Sequence, residues 1–280
     1  MAKAAPKPTA TLKSFGGRLL LVGAGKMGGA MLEGWVARGL DPKNIAVLEP
    51  QPGKTLAALT RRGLVLNPAK PSAASVIVIG VKPQTAPDVL PQLRAYANKS
   101  SMAISIMAGR TLAFLEKGFP AGMAVVRAMP NLPASIGRGI TVSVPNAHVT
   151  KQKRDLATSL LSAVGAVEWV EQEKLLDAVT AVSGSGPAYV FLLAEALAAA
   201  GVASGLPKDL AATLARETVA GSGELLKRST LDAATLRHNV TSPGGTTAAA
   251  LQVLMGPGGF ETLMATAVAM ATKRSKELAG

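Results

Sequence analysis

The sequence predicts an α/β fold in two parts: a Rossmann-like, doubly wound N-terminal domain followed by an all-helical domain. Three observations carry this. From Arg18 to Val170 short apolar runs alternate with stretches of helical character, the pattern of a parallel sheet covered on both faces. Directly after the first run, Gly23-Ala24-Gly25-Lys26-Met27-Gly28 opens a helical stretch, as a phosphate-binding turn does. Beyond Glu171 the strand signals stop and long Ala- and Leu-rich segments take over. The expected organisation is a flexible tail at 1–15, a dinucleotide-binding domain at 16–170 and a helical domain at 171–280.

The tail mixes Ala, Pro, Thr and Lys without apolar periodicity, and it lacks both the apolar core of a secretory signal and any Arg. A cytoplasmic location is therefore expected. Strands are predicted at Leu19–Val22, Ile45–Leu48, Val76–Gly80, Met102–Ile106 and Ala124–Val126. Two more, Ile140–Val144 and Ala166–Val170, flank a helix over Lys151–Val164. In the second part helices are predicted at Tyr189–Ala203, Pro207–Lys227, Thr246–Met255 and Gly259–Leu278. Pro207 suits a first helical turn, and Gly205 and Gly256 suit breaks between helices. Helices this apolar need cover, which predicts burial against a second copy of the chain.

Composition removes several function classes. Of 280 residues, 48% are apolar and 17% charged, too hydrophobic for a disordered chain. With no Cys there is no disulfide framework, thiolate nucleophile or iron–sulfur cluster, and with only His148 and His238 no metal site or histidine base is expected. The longest apolar stretch, Val190–Ala203, is broken by Glu195 and Gly201, short of the roughly 20 residues of a membrane span. A net charge of +13 with 3% aromatic residues gives few platforms for stacking bases, so small anions are the expected partners rather than nucleic acid.

In the glycine segment, Gly23 allows a tight turn, Gly25 the close approach of a pyrophosphate, and Gly28 the packing of helix on strand. Glu49 ends the second predicted strand about twenty residues further on, where a carboxylate accepts the ribose hydroxyls of NADH. Val81-Lys82-Pro83-Gln84, Met107-Ala108-Gly109 and Met129-Pro130-Asn131 follow the C-terminal ends of other strands, the edge where ligands bind in open α/β sheets. Ser183-Gly184-Ser185-Gly186-Pro187 and Thr241-Ser242-Pro243-Gly244-Gly245-Thr246-Thr247 place hydroxyls and glycines ahead of helices. Simple N-capping would account for one hydroxyl in each; their density fits a receptor for a carboxylate.

In this order the motifs resemble the pyrroline-5-carboxylate reductases. The resemblance runs from about Arg18 to the C-terminus and also takes in Val126-Arg127-Ala128-Met129-Pro130-Asn131 and Asp177-Ala178-Val179-Thr180. It implies hydride transfer from NADPH or NADH to 1-pyrroline-5-carboxylate, giving L-proline in the last step of proline biosynthesis. It further implies a Rossmann domain, a helical dimerisation domain, a homodimer or ring of dimers, and an active site built by two subunits. The implied cofactor contacts are Gly23, Ala24, Gly25, Lys26, Met27, Gly28, Asn67, Val81, Lys82, Pro83, Ala108 and Asn239. The implied substrate contacts are Glu173, Ser242, Gly245, Thr246 and Thr247, with the Thr247 hydroxyl beside the ring nitrogen as the catalytic group. Glu49 departs from the family, many of whose members use NADPH and carry small or basic residues there. Two other readings remain at this point. A β-hydroxyacid dehydrogenase shares the two-domain plan but uses a helical Lys, and Gly184–Leu197 contains none. A nonenzymatic nicotinamide-binding regulator would bind cofactor without turnover.

Overall fold

A computed structural model describes residues 12–279. Among them, 12–184 with 272–279 form one compact unit and 185–271 the other. The division falls after Gly184, beyond the boundary expected at 170, because Leu176 is buried on the sheet with Val142 and Val144.

The first unit is an eight-stranded sheet in the order β3-β2-β1-β4-β5-β6-β7-β8. Its strands are β1 (Leu19–Val22), β2 (Ile45–Leu48), β3 (Val65–Leu66), β4 (Val76–Ile79), β5 (Met102–Ser105), β6 (Ala124–Pro130), β7 (Gly139–Pro145) and β8 (Gly165–Trp169). All the expected strands form, and β3, only two residues long, was not foreseen. The first six run parallel, whereas β7 pairs antiparallel with β6 and β8 runs parallel to β7. This reversal departs from the all-parallel pattern. Only residues 131–138 join β6 to β7, fewer than the dozen or so that a parallel crossover needs.

Alternate residues of the central strands feed two cores. Leu19 and Leu21 face Met31, Leu32 and Trp35 of α1 (Lys26–Ala37) and Leu160 and Leu161 of α5 (Lys151–Leu161). Leu20 and Val22 face Leu90 and Leu93 of α3 (Ala86–Leu93) and Leu115 of α4 (Leu112–Glu116). The short helix α2 (Lys54–Thr60) follows β2, and α6 (Leu175–Val179) follows β8. Trp35 is fully buried, and its indole N–H donates to the Leu160 carbonyl at 2.8 Å, so the largest core side chain leaves no polar atom unpaired.

Most of the expected flexible tail lies outside the described residues, but 12–15 do not behave as a tail. Leu12 is buried in the α1-side core and its amide donates to the Arg38 carbonyl at 3.1 Å. A single apolar residue in a polar segment has no periodicity to announce it.

The second unit contains α7 (Gly186–Ala203), α8 (Lys208–Arg228), α9 (Ala233–Asn239), α10 (Thr246–Leu254) and the first part of α11 (Phe260–Ala279). Helix α9 was not expected; Asp232 caps it, accepting from the Thr235 amide at 2.7 Å, a bond that holds the Asp232 carboxyl below the usual range. α7 and α8 pack through small residues, with Gly201 against Ala211. Little else is covered: Ala211 and Ala215 are the buried residues recorded on these helices, while Phe191, Leu192 and Leu263 are each at least 60% exposed. The helical run Leu175–Ala203, with mean hydropathy 1.6, has the length and composition to cross a membrane. The interruptions at Glu195 and Gly201 still stand; helical structure through Thr180–Gly184 extends the run on its N-terminal side, where Asp177 interrupts it as well.

Such exposed apolar surface is worth about 25 cal/mol per Å² once covered. Light scattering is therefore expected to give a mass that is a multiple of 28.4 kDa and survives dilution. A stable, folded monomer would contradict this.

Candidate active site

Strand register brings the candidate loops of the sheet unit to one edge. Val22 stands opposite Leu48 on one side and Ile79 on the other, Ile79 opposite Ser105, and Ser105 opposite Arg127. The segments that follow, 23–28, 49–53, 80–83 and 106–111, therefore leave the sheet together.

Two glycines of the first segment have the steric roles their positions predict. Gly23 adopts φ +87°, and a Cβ there would lie 2.9 Å from the Gly80 carbonyl oxygen. A Cβ on Gly28 would lie 2.1 Å from the Gly23 carbonyl oxygen, so only glycine lets α1 start this close to β1. A Cβ on Gly25 would meet nothing within 4 Å. Gly25 is also the N-cap of α1 and makes no side-chain cap, leaving the first-turn amides facing the gap. A cleft of about 500 Å³ opens there, lined by Ala24, Gly25 and Lys26 with Gly53, Leu132 and Ser135. Backbone donors, the positive end of a helix and a side-chain-free approach fit a pyrophosphate.

Glu49 reaches this loop, but not as a free carboxylate. Its Oε2 accepts from the Ala24 amide at 2.8 Å and its Oε1 from the Gln51 amide at 3.0 Å. Asn67, expected to contact cofactor, grips the Glu49 backbone: its Oδ1 accepts from the Glu49 amide and its Nδ2 donates to the Glu49 carbonyl, each at 2.9 Å. Asn67 holds φ 46° to do so, a left-handed conformation uncommon outside glycine. On the other side of β1, Val81 is half-buried, Lys82 exposed, and Pro83 begins a 3₁₀ turn. Ala108 is exposed at the tip of the loop after β5.

Glu173 also belongs to this unit. Its Oε1 accepts from the Arg127 guanidinium at 2.7 Å and from the Leu112 amide at 2.8 Å. Arg127 is only 6% exposed. The sequence reading gave Arg127 no role, although a cation inside the apolar run Ala124–Met129 demands a partner once buried.

In the first hydroxyl-rich segment, Ser183 and Gly184 belong to a π-helical turn over Thr180–Gly184, and the Ser183 hydroxyl donates to the Val179 carbonyl at 2.9 Å. Ser185 is the N-cap of α7 and makes no side-chain cap. The second segment is open. Within the helical unit, Asn239 ends α9 with its side chain exposed. The Ser242 carbonyl accepts from the Gly245 amide at 3.0 Å across a turn in which Gly244 takes φ +70°. Gly245 is the N-cap of α10 and makes no side-chain cap, so Ser242, Thr246 and Thr247 gather beside uncapped first-turn amides.

A dinucleotide-binding sheet edge joined to a helical unit defines a two-domain nicotinamide-dependent oxidoreductase. Two family profiles agree: one described as coenzyme F420-dependent NADP oxidoreductase matches residues 18–109, and one described as pyrroline-5-carboxylate reductase dimerisation matches residues 173–278. The pyrroline-5-carboxylate reductase of Mycobacterium tuberculosis H37Rv is 41% identical, over 93% of this chain and 96% of its own length. Among solved structures, the pyrroline-5-carboxylate reductase of Coxiella burnetii superposes with TM-score 0.86 at 35% identity, covering 94% of this chain and 98% of its own. The Plasmodium falciparum pyrroline carboxylate reductase, solved with NADP bound, gives TM-score 0.76 at 30% identity, covering 95% and 99%. The chain belongs to the pyrroline-5-carboxylate reductase family.

The contact between Gly28 and Gly23 makes a direct prediction. Gly28→Ala must push α1 off β1, because the atom it would strike is backbone. The expected result is a melting temperature lower by several degrees, for a loss of about 1–3 kcal/mol, together with loss of dinucleotide binding in calorimetric titration. An unchanged affinity would show that the glycine loop does not hold the cofactor.

Proposed function

We propose that this chain reduces 1-pyrroline-5-carboxylate to L-proline, the last step of proline biosynthesis, as a cytoplasmic homodimer or ring of dimers. The observation that carries the reading is the open approach over Gly25 at a sheet edge shared by the segments 49–53, 80–83 and 106–111, in a chain of this family. The dimerisation profile over residues 173–278 and the exposed apolar helices support the assembly.

The nicotinamide, when bound, supplies the hydride for the imine carbon. The protein's task is positioning, which fits a chain with no Cys and two His. The first-turn amides of α1 receive the pyrophosphate, and Lys82 adds a positive charge at the same edge. The amides and hydroxyls at Ser242, Gly245, Thr246 and Thr247 receive the substrate carboxylate. The Thr247 hydroxyl is the group we assign to the ring nitrogen, where it holds a hydrogen bond to the centre that gains a proton. Glu173, fixed by Arg127, is the carboxylate assigned to the substrate.

Cofactor choice turns on Glu49. Two amides hold its carboxylate at the glycine loop, so it does not simply swing into water when a phosphate approaches. A unit charge 4 Å away is opposed by roughly 4 kcal/mol at an effective dielectric near 20, before salt screens it. Lys54, at the start of α2, offsets part of this. NADH is therefore expected to serve at least as well as NADPH, although the Plasmodium relative was solved with NADP.

One spectrophotometric assay tests both parts. Purified protein should oxidise NADH or NADPH only with pyrroline-5-carboxylate present, and no turnover from folded protein would overturn the function. Binding without turnover would favour a regulator. Glu49→Ser also frees the Ala24 amide, a change common to both cofactors, so the ratio of their kcat/KM values isolates the charge. That ratio should move toward NADPH by about tenfold or more, a 1.4 kcal/mol change. A wild type that strongly prefers NADPH, with a ratio the substitution leaves unmoved, would refute the role of Glu49.

A further inference from the structure

The loops after β4 and β5 are tied together by one side chain. The Arg110 guanidinium donates from both Nε and Nη2 to the Pro83 carbonyl oxygen, at 3.0 and 2.7 Å. Its plane lies over the Phe114 ring, 4.7 Å from guanidinium carbon to ring centroid. Pro83 starts the 3₁₀ turn that follows Val81 and Lys82, and Arg110 directly follows the loop tip Ala108-Gly109. One residue thus spans the gap between two segments 27 positions apart in sequence.

The loop after β5 needs such a tie. At its start the Ile106 amide donates to the Ile79 carbonyl at 3.0 Å, and at its end Thr111 caps α4, accepting from the Phe114 amide at 3.2 Å. Between them Gly109 turns at φ +68°. Glycine gives the tip freedom as well as its turn, and that freedom is lost on binding unless something restrains it beforehand. Phe114, in the first turn of α4, supplies a flat apolar support that sets the guanidinium in place. The planar fork meets the Pro83 oxygen with two donors, an arrangement a lysine ammonium cannot reproduce.

We propose that Arg110 is a positioning residue for the cofactor: without touching it, Arg110 fixes the spacing of the 81–83 and 107–109 loops and so preorganises the cleft between them. The inference rests on the reading that these loops hold a nicotinamide dinucleotide.

The test is calorimetric titration of the full-length protein with NADH and with NADPH, alongside thermal unfolding and kinetics. Arg110→Met should raise both dissociation constants by roughly 5- to 30-fold, a partial transmission of the roughly 10- to 150-fold that a charge-assisted hydrogen bond is worth, while KM for pyrroline-5-carboxylate at saturating cofactor changes less than about twofold, because the positioning acts through cofactor binding. Arg110→Lys keeps the charge but not the fork, and it should recover only a minor part of the affinity. Phe114→Leu keeps the hydrogen bonds and removes the stack; a rise of about 2- to 5-fold is expected, and this variant decides the matter if Arg110→Met does not fold. Unchanged dissociation constants in a folded Arg110→Met protein would overturn the proposal, as would full recovery in Arg110→Lys, which would reduce the effect to charge. A wild-type protein that binds neither dinucleotide would instead overturn the cofactor reading itself.

Discussion

At the end of β1 the backbone crosses itself so closely that no side chain fits at two points. Gly28 sits on the Gly23 carbonyl, and Gly23 sits on the Gly80 carbonyl. The first contact draws the N-terminus of α1 onto the sheet, and the second draws the end of β4 beside it. Both are set by excluded volume, which is steep, so the ligand edge is stiff before anything binds. Glu49 then adds a polar stitch from the end of β2 to the Ala24 amide, and Asn67, just after β3, braces Glu49. The helix amides and the ends of β1, β2 and β4 owe their relative placement to these contacts.

The strands of this sheet were legible because parallel strands buried on both faces must be apolar throughout, as β1 and β4 are. The glycine spacing was legible for the steric reason just given. Other features depend on contacts that sequence spacing does not encode. The reversal at β7 follows from a short connection, and the two-residue β3 is created by pairing with β2 rather than by its own pattern. Leu12 is apolar in isolation and becomes core only because the α1 side of the sheet has a place for it. At the site, the Ser183 hydroxyl looked available, and the π-helical turn bonds it back to the Val179 carbonyl. Arg127 was visible in the sequence, but its pairing with Glu173, 46 residues away, required the fold.

The two units meet different physical demands. The sheet unit closes two cores of its own, on opposite faces of its strands. The helical unit buries two alanines and leaves most of its leucines exposed, which is why we propose that association contributes to its stability. Reduction of a cyclic imine fits this division. In the function we propose, the rigid edge is assigned the large, charged dinucleotide, and the short hydroxyl and glycine turns at the α9–α10 junction are assigned the small carboxylate.

Hydrogen exchange followed by mass spectrometry, with and without saturating NADH or NADPH, tests most directly whether one preformed sheet edge holds the cofactor. Exchange should slow in the segments 23–29, 49–53, 80–85 and 106–112, with the segment 68–74, which precedes β4 at the opposite edge, unchanged. Protection confined to 68–74, or binding with no protection at the glycine loop, would contradict the account.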